Sequence, residues 1–150
     1  MIFVFDTNIV LHYIRKSNVM TTIERDLDPL ASNHESWLSA VSVGEIRSIA
    51  MQNRWDEERI TQLDAFLSRF LIADVNIAAL LYRYAEIDSY SQGNYSAIPS
   101  SFTSRNMGKN DLWIAATASV LEATLLTTDS DFDHLNGVFL QLVTIANQSA

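Results

Sequence analysis

The chain opens with Ile2-Phe3-Val4-Phe5-Asp6-Thr7-Asn8, and this stretch decides the fold. Its run of apolar residues is typical of a buried strand. Asp6, Thr7 and Asn8 then favour the start of a helix, because their short polar side chains accept hydrogen bonds from free backbone N–H groups. The stretch therefore predicts a strand that runs directly into a helix. Asp6 either caps that helix or belongs to a functional site at the junction.

Strands and helices alternate along the rest of the chain. Further strands are predicted at 37–40, 71–73, 124–127 and 139–143, and helices ending near 15 and 53 and spanning 19–30, 56–70, 76–88, 111–122 and 132–135. This alternation predicts one α/β domain over residues 1–150, a three-layer α/β/α sandwich around a mostly parallel sheet. Ligands of such sheets bind beyond the carboxyl ends of the strands. Asp6 and Asp129 are both expected at those ends.

The segment 89–109 departs from this alternation. It contains six serines together with Gly93, Pro99 and Gly108, and it predicts a long irregular connection. Such connections in compact domains are often functional or mobile.

Composition excludes several classes of function. The 150 residues carry a net charge of −8 and contain no cysteine, so disulfides, thiolate metal sites and cysteine nucleophiles are excluded. The acidity also disfavours tight, non-specific binding of nucleic acid and suits a basic protein partner.

No apolar stretch is long enough to span a membrane. The first strand begins without a basic leader, so we expect a cytoplasmic protein that does not associate with membranes.

Four acids lie in apolar or small-residue surroundings that a solvated acid would not favour: Asp6, Glu45, Asp111 and Asp129. Burying several carboxylates together is prohibitive unless a cation neutralises them. Oxygen ligands of this kind suit Mg²⁺ or Mn²⁺. The pattern therefore indicates metal-dependent catalysis.

Helical spacing supports two of these acids. Glu45 shares a helical face with Ile46 and Ile49, and Asp111 shares one with Ile114 and Ala115. Stabilisation of the first helical turn explains an acid at position 111, but it does not explain alignment with a buried stripe.

Three aspartates follow the strand at 124–127. Asp129 is nearest the strand end and is the predicted metal ligand. Asp131 is either a further ligand or the cap of the short helix, and Asp133 is expected at the surface.

These blocks together resemble the PIN-domain nucleases and, more narrowly, the VapC-type toxins. The resemblance is carried by residues 2–8, by Val41-Ser42-Val43-Gly44-Glu45-Ile46, by residues 108–118, and by Leu125-Leu126-Thr127-Thr128-Asp129-Ser130-Asp131-Phe132. It implies a metal-dependent endoribonuclease whose catalytic and metal-binding acids are Asp6, Glu45, Asp111 and Asp129. It also implies that Thr7, Asn8 and Thr127 are polar neighbours of those acids. A homodimer, an RNA substrate and inhibition by a small antitoxin protein are further implications.

Two other functions remain open. A magnesium-dependent phosphatase would also start from a strand-end aspartate, but Asn8 stands where its second acid is needed. A catalytically idle binding or regulatory module of the same fold is the second alternative. Cleavage of RNA by the purified protein discriminates between them and the nuclease.

Two hypotheses concern what the site contacts. Arg47, Arg105 and Lys109 are the basic residues nearest in sequence to the acidic blocks, so they are candidates for RNA phosphate contacts. The helix at 56–70 and the helix that carries Glu45 form an apolar pair with Trp55 at their junction. This pair is a candidate groove for an amphipathic antitoxin segment, although both helices are equally explained as core or dimer contacts.

Overall fold

The structure is a computed structural model, and it describes residues 1–147. Its elements run in the order β1 (Ile2–Phe5), α1 (Thr7–Arg15), α2 (Asn18–Asp26), β2 (Glu35–Ser39), α3 (Ala40–Gln52), α4 (Glu57–Leu67), β3 (Leu71–Ala73), α5 (Ala78–Ser91), α6 (Lys109–Val120), β4 (Thr124–Thr127), a 3₁₀ helix (Ser130–Leu135) and β5 (Gln141–Thr144). The last three residues of the predicted domain lie outside the described part.

The five strands form one sheet in the order β3-β2-β1-β4-β5, and each neighbouring pair is parallel. The strand predicted from the opening stretch, β1, is therefore the central strand. In its register Val4 lies beside Trp37 of β2 and Leu125 of β4. The predicted α/β architecture around a parallel sheet is confirmed.

The two faces of the sheet are covered by separate cores. Phe3 and Phe5 project to one face, where α1 to α4 pack, and Val4 projects to the other, where α5, α6 and the 3₁₀ helix pack. This division follows from the alternation of side chains along a strand. The resulting three layers are those that the sequence predicts.

Several predicted boundaries are wrong, each for a local reason. Helix α2 ends at Asp26 rather than near residue 30, because Asp28 has a left-handed backbone (φ 43°) directly before Pro29. Strand β2 ends at Ser39, one residue before the predicted end at residue 40. The reason is that Ser39 Oγ accepts a hydrogen bond from Val41 N and caps α3, which begins at Ala40.

The irregular connection is shorter than predicted. Helix α5 continues to Ser91 and α6 already begins at Lys109, so the irregular segment is 92–108. Among the described residues, no helix is long and apolar enough to cross a membrane.

Candidate active site

The carboxyl edge of the sheet brings the predicted acids to one end of the molecule. Asp6 follows β1 and Asp129 follows β4, and the two strands are held together by a hydrogen bond of 3.0 Å from Asp6 N to Leu126 O. Helix α3, which carries Glu45, leaves the same edge from β2. Helix α6 precedes β4 and runs in the direction opposite to the strands. Its first turn, which contains Asp111, therefore lies near the same carboxyl end of the sheet.

Asp6 is buried and doubly hydrogen-bonded. Its side chain is only 3% exposed. Oδ1 accepts a hydrogen bond of 2.7 Å from Thr7 N, and Oδ2 accepts one of 2.8 Å from Thr127 Oγ1. Asp6 therefore caps α1, which is one of the two roles that the sequence left open, and its other carboxylate oxygen is held by Thr127.

A second hydroxyl holds Glu45. Thr7 Oγ1 lies 2.9 Å from Glu45 Oε1 and 3.1 Å from Ser42 Oγ. A hydroxyl has one proton and a carboxylate only accepts, so Thr7 Oγ1 donates its proton to Glu45 Oε1. The hydroxyl of Ser42 then donates to Thr7 Oγ1. Thr7 and Ser42 are buried, and Glu45 is half-buried. The first turn of α1 thus fixes an acid on α3.

Three carboxylates are close enough to share one cation. Asp111, Asp129 and Asp131 each offer an oxygen, and these oxygens lie within 4.8 Å of one another. Two unit negative charges at that separation repel by roughly 3–4 kcal/mol at an effective dielectric constant of ~20. The cluster is therefore unfavourable unless a proton or a cation neutralises part of its charge.

Two of these acids, Asp111 and Asp6, have raised pKa values. Burial, followed by the charges of Asp6, Asp129, Asp131 and Glu45, raises the pKa of Asp111 to about 7. Asp111 is the third residue of α6, where the helix dipole favours the ionised carboxylate by only ~0.3–1 kcal/mol. Burial and like charges outweigh the dipole.

The pKa of Asp6 is also raised, first by burial and then by Asp129 and Glu45, although the hydrogen bonds from Thr127 and Thr7 act in the opposite direction. The five acids are therefore one electrostatic unit. A set of carboxylate oxygens, two of them on buried or half-buried aspartates with raised pKa values, fits a hard divalent cation such as Mg²⁺ or Mn²⁺.

Residues 3–138 match the sequence profile of the PIN domain. The chain belongs to the PIN domain family. A curated relative, Ribonuclease VapC2 of Rickettsia felis (strain ATCC VR-1525 / URRWXCal2), is 28% identical over 142 residues, which are 94% of this chain and 97% of the relative.

Solved structures share the PIN fold over nearly the whole chain. The crystal structure of VapBC2 from Rickettsia felis bound to a DNA fragment from their promoter superposes with a TM-score of 0.74 at 26% identity, and covers 97% of this chain and 99% of that one. The structure of VapBC-1 from nontypeable Haemophilus influenzae has a TM-score of 0.70 at 22% identity, and covers 96% and 98%. The second likeness concerns the fold alone.

The aspartates after β4 of this PIN domain have different roles from those weighed in the sequence. The prediction left Asp131 as a ligand or a cap, but the cap is Asp129, whose Oδ1 accepts a hydrogen bond of 2.9 Å from Asp131 N. Asp131 belongs to the group of three carboxylates. Asp133 is exposed, as predicted.

The basic candidates separate into two groups. Arg47 is paired with Asp64 of α4 at 2.6 Å, so its guanidinium already has a partner on the neighbouring helix. Lys109 is the exposed first residue of α6, and Arg105 Nη1 donates to Ser130 O at 3.4 Å beside the acids. Asn8 is exposed on α1, outside the hydrogen bonds that hold Asp6 and Glu45.

Sequence reasoning missed the part of Ser42 in holding Glu45 and the contacts of His134. Ser42 was visible as a small polar residue one turn before Glu45 on the buried stripe. His134 Nε2 lies 2.7 Å from Ser91 Oγ, and no local pattern indicates this contact between residues 43 positions apart.

Proposed function

We propose that this PIN domain is a divalent-metal-dependent endoribonuclease and the toxin of a toxin–antitoxin pair. The observation that carries the proposal is the group of three carboxylates, with Asp6 and Glu45 held beside it by Thr127 and Thr7. The similarity to a protein named ribonuclease supports RNA as the substrate. A cytoplasmic location is part of the proposal.

The chain's own residues would hold the cation and position the RNA. A divalent cation, when bound, would polarise the scissile phosphate and make a water molecule a better nucleophile. Asp111, Asp129 and Asp131 would hold that cation, with Asp6 and Glu45 completing the negative charge around it. Asp111 carries the carboxyl with the pKa of about 7, so it would give up its proton when a cation binds.

Arg105 and Lys109 would contact phosphates of the RNA, whereas the pairing with Asp64 makes Arg47 a weaker candidate.

The antitoxin is proposed to bind the pair of helices α3 and α4. Trp55 lies between them and packs against the core, and the guanidinium of Arg59 lies 4.6 Å from the centre of its ring. An amphipathic segment could displace Arg59 and cover Trp55 in helix-in-groove fashion. The net charge of −8 favours a basic segment.

A homodimer is also proposed. Edge strand β3 leaves backbone groups unpaired, and exposed apolar side chains surround it: Leu71, Ile72, Ile77 and Leu81. Such an edge and patch favour contact with a second copy. Sedimentation of wild type and Ile77→Lys tests this contact, and a dimer that persists unchanged in the variant contradicts it.

The test of the function is cleavage of single-stranded RNA by the purified protein with Mn²⁺ or Mg²⁺, and its loss on chelation with EDTA. A small phosphate monoester is the parallel substrate. Cleavage of the monoester alone would favour the phosphatase, in which Asn8 stands at the second acid position. Binding of RNA without cleavage at any metal concentration would favour an idle binding module.

A further inference from the structure

The irregular segment 92–108 is fixed to the rest of the domain. Arg105 N donates a hydrogen bond of 2.7 Å to Ser91 O, and Ser104 Oγ donates one of 2.9 Å to Gln92 O. Tyr95 OH donates to Glu86 Oε2 at 2.5 Å. Both halves of the segment are therefore tied to α5, and it forms a wall of the molecule.

The end of α5, from which this wall begins, is joined to the acid-bearing 3₁₀ helix through a partly buried contact. Ser91 Oγ lies 2.7 Å from His134 Nε2 and 3.3 Å from Met107 Sδ. The ring of His134 packs against Phe102 with centroids 5.0 Å apart, and stacks on Tyr90 at 6.3 Å. The Ser91–His134 bond thus links the start of the wall to the 3₁₀ helix that carries Asp131, which precedes His134 by three residues.

A cleft of about 340 Å³ lies between the wall and the acids, lined by Arg105, Asn106, Met107 and Asp131. This volume is at the lower end of the ~300–1,000 Å³ of small-ligand sites. Arg105 uses one N–H group on Ser130 O, which leaves other donors of its guanidinium for a phosphate. The exposed amide of Asn106 both donates and accepts, as recognition of a base edge requires.

We infer that this cleft is the subsite for the nucleotide next to the scissile phosphate, and that the Ser91–His134 bond is the positioning contact that holds its wall. Arg105 binds the phosphate of that nucleotide and Asn106 contacts its base. The inference rests on the proposed ribonuclease function and adds where the RNA lies relative to the acids. The wall decides substrate affinity, whereas the acids decide turnover.

The experiment measures kcat and KM on a single-stranded RNA with Mn²⁺, and the Kd for the same RNA with Ca²⁺. Arg105→Gln is expected to raise KM and Kd roughly tenfold or more, the usual effect of losing a charged hydrogen bond, with kcat close to wild type. Arg25→Gln is the control. It removes the same charge from a surface pair with Asp26 and leaves KM and Kd unchanged.

The positioning contact is tested with Ser91→Ala and His134→Phe. Both remove the same hydrogen bond, and phenylalanine keeps a ring against Tyr90 and Phe102. Each variant should raise KM without lowering kcat, and the double variant should be no worse than the larger single effect. A role in stability alone would lower the melting temperature and the active fraction and leave KM untouched, which would overturn the assignment.

The outcomes separate this inference from the function on which it rests. Wild type that cuts RNA while Arg105→Gln and Asn106→Ala keep the wild-type KM overturns the subsite and leaves the ribonuclease standing. Wild type that binds RNA through Arg105 without cutting it overturns the ribonuclease and leaves the cleft standing as an RNA-binding site. Wild type that neither binds nor cuts RNA overturns both.

Discussion

Thr127 Oγ1 donates a hydrogen bond of 2.8 Å to Asp6 Oδ2 and thereby joins two residues that are 121 positions apart in the chain. The same oxygen accepts a hydrogen bond of 2.9 Å from Asp129 N. One buried hydroxyl therefore fixes the acid after β1 and the backbone of the acid after β4. The parallel pairing of β1 and β4 therefore positions two of the acids that are proposed to take part in catalysis.

The first prediction concerns that hydroxyl. Thr127→Val keeps the shape of the side chain and removes both hydrogen bonds, so Asp6 loses a donor that stabilises its ionised form. We expect kcat/KM for RNA to fall roughly 10- to 100-fold, as for other residues that orient metal ligands. Thr124→Val is the control, because Thr124 is a buried threonine at the opposite end of the same strand. Equal losses in the two variants would mean that the effect comes from the strand and not from the hydrogen bonds.

The second prediction concerns the acids themselves. Asp111→Asn removes a charge from the group of three carboxylates, so RNA cleavage should be abolished while the circular dichroism spectrum stays unchanged. Asp6→Asn should have the same effect. Asp133→Asn is the control, because Asp133 is exposed on the same 3₁₀ helix and lies outside the group. A silent Asp111→Asn or an inactive Asp133→Asn would show that the site is assigned to the wrong aspartates.

Much of the architecture could be predicted from the sequence because it depends on local patterns. The apolar run before Asp6 and the alternation of elements place Asp6 and Asp129 at adjacent strand ends. Helical spacing likewise places Glu45 and Asp111 on stripes that face the sheet. These inferences need only the periods of strands and helices.

The hydrogen bonds and ion pairs of the candidate site could not be predicted, because they depend on contacts between distant parts of the chain. The hydrogen bond from Thr7 to Glu45 spans 38 positions, and the ion pair of Arg47 with Asp64 depends on how α3 and α4 pack. Serine-rich composition also concealed the last turn of α5, where buried Tyr90 and Ser91 pack under the segment 92–108. Local propensity was overridden there by burial.

The third prediction concerns pH. Without metal, the folded protein keeps a proton on Asp111 that the unfolded chain loses at its ordinary pKa of 3.8, and it releases this proton only near pH 7. The folded state therefore binds more protons than the unfolded state within that window, so this group makes the free energy of unfolding fall as the pH rises through it. The burial of Asp6 acts in the same direction.

Denaturant unfolding in EDTA across this pH range measures the effect. Asp111→Asn should be more stable than wild type at neutral pH, and the difference should vanish at acid pH, where wild-type Asp111 is protonated. Asp133→Asn serves as the reference for loss of an exposed aspartate. A difference between wild type and Asp111→Asn that stays constant with pH would contradict the prediction.

The fourth prediction concerns the antitoxin. If an amphipathic segment of the proposed antitoxin covers Trp55, Trp55→Ala should weaken that complex, because an aromatic side chain buried in an interface contributes much of its energy. The control is Tyr82→Ala, which removes an aromatic side chain that is 70% exposed on α5, on the other face of the sheet. Affinity that is unchanged in Trp55→Ala, measured by titration calorimetry, would show that the antitoxin does not bind in the groove between α3 and α4.

If the acids form one cation site, Mn²⁺ should raise the melting temperature of the wild-type protein at neutral pH. A cation at ~100 times its dissociation constant should stabilise the folded state by ~2.7 kcal/mol, and Asp111→Asn should lose most of this response. A wild-type melting temperature that millimolar Mn²⁺ leaves unchanged would show that these carboxylates do not hold a cation together, and the proposed nuclease would lose its physical basis.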